Sequence, residues 1–215
     1  MAILINMKRI TLFIAFIFIT STGALAQPGT FLDKRDGNVY RTIHFNGKTW
    51  FREHLRLKTS HSYFPNVKRD TSALREGNYY LHTELPSLCP KGWHLATIVE
   101  LEEYILFMAR INHVPDSALE RSISKDADSS LRITIPGFDP MSDTLLQLRS
   151  IGWVQGKKMH LDKSLSLWMN DTRHFDNKFH AHIGKLGYII HTHEHNIIDK
   201  QKLIRMFPVR CVCDE

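Results

Sequence analysis

The chain has 215 residues, a formal net charge of +6 and 43% hydrophobic side chains. It is therefore long enough to bury a hydrophobic core, and its length suits one ordinary domain. The 28 basic residues are scattered, with no run of five or more. This pattern argues against nucleic acid as a partner.

The N-terminus has the three parts of a secretory signal peptide. Lys8 and Arg9 supply positive charge, and an apolar run of 11 residues follows from Ile10 to Thr20. Ala24 and Ala26 then give the small-x-small pattern that signal peptidase cleaves. Because a membrane-spanning helix needs about 20 apolar residues, the run is too short for an anchor, and cleavage after Ala26 is favoured.

Removal of residues 1–26 would leave a mature chain of 189 residues, 27–215. Its net charge is +4, since Lys8 and Arg9 leave with the signal peptide. No second apolar run of spanning length follows, so we expect no transmembrane anchor after cleavage. Neither an internal repeat nor a low-complexity linker divides the mature chain, which predicts a single domain. We expect the protein to be secreted, periplasmic or on the cell surface.

The mature chain carries three cysteines, Cys89, Cys211 and Cys213. An oxidising compartment favours a disulfide, and the odd count leaves one thiol over. Cys211 and Cys213 lie two apart in a predicted strand, so they share a face and either could approach Cys89. We choose Cys89–Cys211, which closes a loop of about 120 residues and contributes roughly 4–5 kcal/mol if unstrained. Cys213 is then free or available to a partner.

The clearest local structure is a hairpin within residues 37–55. Apolar and polar side chains alternate from Val39 to Phe45, which predicts a strand. Asn46-Gly47 marks a two-residue turn, because both residue types tolerate positive φ. The chain then returns as a second strand from Lys48 to Arg52.

A helix is predicted after the first cysteine. Thr97 and Glu100 have the spacing of a capping box, which satisfies free N–H groups at a helix start. Apolar residues then recur at helical spacing, at Leu101, Ile105, Met108 and Ile111. Pro115 is expected to end this helix. A second, weaker helix is expected from Ser117 to Lys125.

The C-terminal part of the chain has the pattern of short strands. From about residue 131, Gly and Asp or Asn separate the pieces LRITI, IGWVQGKKMHL, LSLWMN, KFHAHIG, LGYIIHT and FPVRCVC. Strands punctuated by turns predict a meandering antiparallel region. Residues 56–78, rich in Ser, Asn, Lys and Arg, indicate a surface loop. With the hairpin and the helix, these strands predict an α+β domain.

Three segments of the chain carry a family resemblance. The first consists of Asp33, Arg35, Asp36, Gly37, Tyr40, Thr42, Gly47, Trp50, Glu53 and Leu55. The second consists of Cys89, Pro90, Gly92, Trp93, His94, Leu95, Thr97 and Glu100. The third consists of Val209, Arg210, Cys211, Val212 and Asp214. They resemble the DxRDGxxYxTxxxGxxxWxxExL, CPxGWHLPTxxEW and VRCVxD motifs of the Fibrobacter succinogenes major paralogous domain family.

The resemblance covers residues 31–215, with Ala96 and Leu101 where that family usually has Pro and Trp. It implies an exported bacterial protein with a C-type-lectin-like fold. In that fold the N- and C-terminal strands pair, one main helix follows the first cysteine region, and a long loop-rich excursion follows the helix. The resemblance also implies that Cys89 and Cys211 form the structural bridge, and it implies no catalytic site.

A histidine-rich region is a candidate metal site. Six histidines fall within residues 174–195. His191, His193 and His195 alternate with other residues, so in a strand they would share a face, as would His180 and His182. Imidazoles at this spacing can bind Zn²⁺ or Cu²⁺. The alternative is a polar, solvent-facing strand or loop, since nothing in the sequence fixes supporting residues around a metal.

Residues 168–171 are similar to the Trp-Asn-Asp motif with which C-type lectins hold Ca²⁺, although Met169 interrupts it. Calcium needs six to eight oxygens and this segment offers few, so the alternative is a core Trp followed by a turn. The tryptophans could also form a sugar-stacking surface, whereas core packing is expected of Trp50 and Trp93. The candidate binding residues are Trp153, Trp168, Asn170 and Asp171.

The sequence contains no nucleophile elbow, no HExxH motif and no P-loop. We therefore expect a non-enzymatic, exported binding or adhesion module that needs no cofactor. It would hold a glycan or a cell-surface protein through loops around 56–80 and 140–200. The alternative is an envelope metal-binding protein or an enzyme that uses the histidine-rich region.

Overall fold

The computed structural model describes most of residues 27–215, and the predicted signal peptide lies outside the described residues except for Ala26. These residues are 26–64, 77–115, 117, 120–123, 131–134, 144–148, 152–156, 158–160, 165–170, 179–184, 187–192 and 205–215. Within them lie a 3₁₀ helix, His82–Ser87, and one α-helix, α1, Ile98–Ile111. The strands are β1 (Gln27–Leu32), β2 (Val39–Phe45), β3 (Lys48–Phe51), β4 (His94–Leu95), β5 (Glu120–Ile123), β6 (Leu131–Thr134), β7 (Trp153–Gln155), β8 (Lys158–His160), β9 (Leu165–Met169), β10 (Phe179–Gly184), β11 (Gly187–Thr192), β12 (Arg205–Met206) and β13 (Cys211–Asp214).

The strands form three antiparallel sheets. The first sheet has the order β1-β2-β3-β13-β4, the second β5-β6-β11-β10-β9, and the third β12-β7-β8. Mostly antiparallel strands combined with α1 confirm the α+β prediction in its broad form. The strand-like pieces predicted from residue 131 onward are also confirmed.

β2 and β3 form the predicted hairpin. Thr42 lies opposite Phe51, so the strands pair from this point up to the turn. The turn residues Asn46 and Gly47 have φ angles of 53° and 71°. Both therefore adopt the left-handed conformation that a two-residue hairpin turn requires and that Asn-Gly provides at low cost.

α1 begins as the capping box predicts. The Thr97 hydroxyl accepts a hydrogen bond from the Glu100 N–H, and the Glu100 carboxylate accepts one from the Thr97 N–H. The helix ends at Ile111, before Pro115. One face is buried and carries, among others, Leu101, Ile105 and Met108. Among the described segments, no helix is both long enough and apolar enough to cross a membrane.

The second helix, predicted from Ser117 to Lys125, is wrong, because β5 occupies residues 120–123. β5 pairs antiparallel with β6, with Glu120 opposite Thr134 and Ile123 opposite Leu131. The helical pattern there was weak, and long-range strand pairing overrides weak local propensity.

The C-terminal strand lies inside the first sheet. β13 is placed between β3 and β4, with Val212 opposite both Trp50 and His94. β1 pairs with β2 at the edge of the sheet instead. The expected pairing of N- and C-terminal strands is therefore corrected: β13 pairs with the second strand of the hairpin. The physical reason is that β1 and β3 already occupy both edges of β2, which leaves the outer edge of β3 for β13.

Residues 205–214, called the C-terminal seam below, contact all three sheets. Met206 pairs with Val154 in the third sheet. The Trp168 N–H of β9 donates to the Pro208 carbonyl at 3.1 Å, which joins the seam to the second sheet. The seam then continues into the first sheet as β13.

Both faces of the first sheet are covered by buried side chains. The cluster on the α1 side includes Ile43, Trp50, Ile105 and Val212. The cluster on the opposite side includes Tyr40, Phe51, Trp168 and Cys211. Because successive strand residues point to opposite faces, β2, β3 and β13 each contribute to both clusters.

Cys89 and Cys211 form a disulfide, as predicted, with their Cα atoms 5.7 Å apart and a sequence separation of 122. Cys213 is free and half-buried. The disulfide ties the loop before β4 to the C-terminal seam, so it joins distant parts of the chain.

Replacing Cys89 and Cys211 together by alanine is expected to lower the free energy of unfolding by about 2–5 kcal/mol, because the unfolded chain loses its cross-link. Urea denaturation measures this change. The control is Cys213→Ala, for which we expect a change of no more than about 1 kcal/mol, since this half-buried thiol closes no loop. A loss below about 1 kcal/mol for the double variant would contradict a structural role for the disulfide.

Candidate functional site

Asp33 and Arg35 of the first motif form an ion pair, called the Asp33–Arg35 clamp below. Through Arg35 it contacts the loop that carries Cys89, called the disulfide loop below. Arg35 Nε donates to Asp33 Oδ1 at 2.9 Å, and Arg35 Nη2 donates to Oδ2 at 2.7 Å. Arg35 Nη1 reaches the carbonyls of Ser87 and Cys89 at 3.3 and 3.5 Å. The hydrogen bonds from Arg35 lower the pKa of the buried Asp33 carboxyl. The first motif is thereby fastened to the second.

Glu53 of the first motif is buried between two arginines. Arg41 Nε donates to its Oε1 at 2.5 Å, and Arg56 Nη1 donates to its Oε2 at 3.0 Å. The Arg56 guanidinium also lies 4.6 Å from the centroid of the Tyr40 ring. Both oxygens of Glu53 are therefore engaged within the fold, which stabilises the start of the segment after β3.

Glu100 of the second motif is the centre of a polar cluster beneath β13. Its Oε1 accepts from His94 Nε2 at 2.8 Å and lies 3.2 Å from Lys48 Nζ. Its Oε2 accepts from the Thr97 N–H and hydroxyl at 2.8 and 2.9 Å. Burial raises the pKa of Glu100, but the hydrogen bonds from His94 and Thr97 outweigh burial and lower it to about 2. The hydrogen bond to Glu100 raises the pKa of His94.

A His–Glu pair can act in acid–base chemistry when a nucleophile lies within hydrogen-bond reach of the imidazole. The side-chain hydrogen bond of His94 goes to Glu100, which already carries three further contacts. The pair therefore holds the start of α1 against β4 and β13. Its geometry is that of a structural cluster.

Glu100 makes the free energy of unfolding depend on pH. Its folded pKa of about 2 lies below its ordinary value of 4.5. Its contribution is therefore complete above pH 4.5 and is lost as the pH falls toward 2, amounting to about 3 kcal/mol. In Glu100→Gln this part of the acid-induced loss should vanish, as measured by urea unfolding at pH values between 5 and 2. Parallel stability curves for the two proteins would refute the assignment.

Arg210 of the third motif is buried and holds three backbone segments together. Its Nε donates to His54 Nδ1 at 3.1 Å, its Nη1 to the Phe51 carbonyl at 2.9 Å, and its Nη2 to the Gln147 carbonyl at 3.4 Å. Burial and the charge of Arg210 lower the pKa of His54 well below its ordinary value. His54 is therefore neutral and serves as an acceptor.

The motif residues described above make their contacts within the fold. They join the hairpin, the disulfide loop, α1 and the C-terminal seam to one another. The described part of the chain also contains no group of three or more His, Cys, Asp or Glu side chains that could hold a metal ion. A ligand surface therefore has to be sought among other residues.

The four candidate binding residues do not form one site within the described residues. Trp168 is buried, and its indole N–H donates to the Tyr80 carbonyl at 2.9 Å, so it is a core residue. Asn170 is exposed and exchanges backbone hydrogen bonds with Ala96 and Ile98. Asp171 lies outside the described residues. Trp153 alone of the four is a half-buried side chain on a described surface.

The third sheet has one buried face, and its opposite face is partly exposed. Val154 and Met206 are buried in the core cluster on the α1 side, and Met159 packs against it. Alternation along the strands and the register of the sheet place five residues on the opposite face. These are Trp153, Gln155, Lys158, His160 and Arg205, which together are called the basic–aromatic face.

Three flat groups are stacked across the basic–aromatic face. The rings of Trp153 and His160 are parallel within 4°, with centroids 4.0 Å apart. The guanidinium carbon of Arg205 lies 4.9 Å from the centroid of the Trp153 ring. Because β8 and β12 pair with opposite edges of β7, His160 and Arg205 flank Trp153 from opposite sides.

The basic–aromatic face carries positive charge that no described carboxylate neutralises. Its described positions hold one Lys, one Arg, one His, one Gln and one Trp, and no acidic residue. No ion pair joins Lys158 or Arg205 to any carboxylate among the described residues. The buried carboxylates, by contrast, are each paired.

The histidine-rich region lies only partly within the described residues. His180 of β10 lies directly opposite His191 of β11 in the register, and His182 lies opposite Ile189. His193 and His195 lie outside the described residues. The three-histidine metal site therefore stays a prediction.

Part of the basic–aromatic face has a local signal in the sequence. The alternation on either side of Gly156, in IGWVQGKKMHL, is a hairpin pattern that places Trp153, Gln155, Lys158 and His160 on one face. The sequence predicts strands in that stretch, but it does not assign Lys158, His160 or Arg205 to a site. Arg205 has no local signal, since β12 reaches β7 from a distant part of the chain.

No family model, curated protein or solved structure matches the chain. The geometry of the described residues is therefore the basis on which a function is assigned. Membership of the Fibrobacter succinogenes major paralogous domain family is accordingly a proposal.

Proposed function

We propose that the protein is an exported, non-enzymatic binding module of the bacterial envelope, and that it holds a glycan on the basic–aromatic face. The observation that carries this proposal is a separation of roles. The charged motif residues Asp33, Glu53, Glu100 and Arg210 are engaged within the fold. The charged residues of the basic–aromatic face, Lys158 and Arg205, lie on strands and form no ion pair with a carboxylate among the described residues.

We further propose that the chain belongs to the family that its motifs resemble, with a C-type-lectin-like fold. The contacts between motifs support this proposal. The Asp33–Arg35 clamp joins the first motif to the second, and the Cys89–Cys211 disulfide joins the second to the third. The order of hairpin, cysteine, helix and C-terminal strand agrees with the order that the resemblance implies.

Two features support export. Residues 1–26 have the composition of a signal peptide. The Cys89–Cys211 disulfide suits an oxidising compartment, where such bonds persist. A cell-surface, periplasmic or secreted location follows from this proposal.

The composition of the basic–aromatic face suits a glycan. Guanidinium, imidazole and amide groups donate hydrogen bonds to sugar hydroxyls and ring oxygens, and the amide and neutral imidazole also accept them. The face lies on paired strands backed by the core, so its side chains are held in place before a ligand arrives. The same residues fall largely within the region 140–200 that the sequence indicated.

A glycan array with the mature protein tests this proposal. We expect retention of at least one glycan, and a loss of about tenfold or more in affinity for Trp153→Leu, because Arg205 and His160 lose the ring that orders them. The matched control is His94→Gln, which alters a motif residue and should leave the affinity unchanged. Urea unfolding of both variants verifies that they are folded.

Failure of the protein to retain any glycan would contradict the proposal. So would a loss of binding in His94→Gln with binding intact in Trp153→Leu. Stoichiometric retention of Zn²⁺ or Cu²⁺ that disappears when His191, His193 and His195 are replaced would favour the metal-binding alternative.

A further inference from the structure

Trp153 is placed to order the Arg205 guanidinium. A cation within about 6 Å of an indole centroid is attracted to the ring, and the Arg205 carbon lies at 4.9 Å. Trp153 itself packs against the core cluster that contains Phe51 and Cys211, so its ring is anchored. Arg205 Nε is buried and has no hydrogen-bond acceptor among the described residues. The guanidinium is thus held flat, and no carboxylate among the described residues pairs with it.

A second cation lies on the same face at a defined spacing. Arg205 and Lys158 are both directly opposite Gln155, one from β12 and one from β8. Two neighbouring-strand spacings separate them, which places their Cα atoms about 10 Å apart. Lys158 is exposed. The face therefore presents two positive charges on either side of a neutral amide.

We infer that the basic–aromatic face binds an acidic polysaccharide, with Arg205 and Lys158 contacting carboxylate or sulfate groups on separate sugar units and Gln155 contacting the hydroxyls between them. This inference rests on the proposed function and names the chemical class of its glycan. Trp153 is a positioning residue in this arrangement, because it acts through Arg205.

Charge complementarity and spacing favour a polymer over a compact anion. Stacking on Trp153 holds the Arg205 guanidinium on the β12 side of β7, whereas Lys158 lies on β8, the other neighbour of β7. A chain with repeated anionic groups can contact each cation with a separate group, and its hydroxyls match the hydrogen-bonding groups of Gln155 and His160. An acidic peptide also supplies charge, and its backbone amides can contact Gln155, so poly-L-glutamate is the comparison that separates these two kinds of polymer.

Isothermal titration of the mature protein with three polymers tests the inference. Polygalacturonate supplies a carboxylate on each sugar, its fully methyl-esterified form supplies the same sugars without charge, and poly-L-glutamate supplies charge without sugar. We expect polygalacturonate to bind at least tenfold more tightly than either of the others. We also expect its affinity to fall as salt is raised from 0.05 to 0.5 M, since salt screens exposed charges.

Matched variants locate the site. Arg205→Gln and Lys158→Gln should each weaken polygalacturonate binding about fivefold or more and reduce its salt dependence. Lys34→Gln removes an exposed lysine from the turn between β1 and β2 and should change neither quantity. Trp153→Leu should reduce the preference for polygalacturonate over the methyl ester, and Trp153→Phe should restore part of it, because a phenyl ring still attracts a cation.

Equal binding of polygalacturonate and its methyl ester would overturn the inference. If that binding were still lost in Trp153→Leu, the proposed glycan site would stand without its acidic preference. Tighter binding of poly-L-glutamate would overturn the inference in favour of an acidic protein partner. Absence of binding to every glycan, on the array and in titration, would overturn the proposed function as well.

Discussion

The C-terminal seam is the constraint on which the other parts of the fold depend. Strand pairing carries it from the third sheet, past Trp168 of the second, into the middle of the first. The Cys89–Cys211 disulfide and the hydrogen bonds of Arg210 then fix it to the loop before β4 and to the end of β3. Because the seam begins at Arg205, the same segment that closes the core also positions a cation on the basic–aromatic face.

Charged side chains in the interior are paired, whereas those on the basic–aromatic face have no carboxylate partner among the described residues. Leaving a buried carboxylate without a partner costs several kcal/mol, so each one needs compensation. Asp33, Glu53 and Glu100 meet this requirement through arginine, lysine, histidine and backbone donors. Arg205 and Lys158 lack such partners among the described residues: Lys158 is exposed to water, and the buried Nε of Arg205 has no acceptor there. The scaffold and the proposed site are therefore electrostatically distinct.

Features set by neighbouring residues could be predicted from the sequence, whereas features set by distant contacts could not. Asn46-Gly47 and the Thr97–Glu100 capping box act within a few residues, and the structure has both. β5 depends on pairing with β6, and the burial of Trp168 depends on Tyr80 and Pro208, so neither follows from local pattern. Likewise, four of the five residues of the basic–aromatic face follow from the alternating hairpin pattern, but Arg205 joins them only through the fold.

Hydrogen–deuterium exchange with and without polygalacturonate tests the separation of scaffold and site most directly. We expect the polymer to protect backbone amides in residues 153–160 and 205–207. Amides of the motif segments, 33–37 and 94–100, should exchange at the same rate in both samples. Protection confined to the motif segments, with none on the third sheet, would contradict the account.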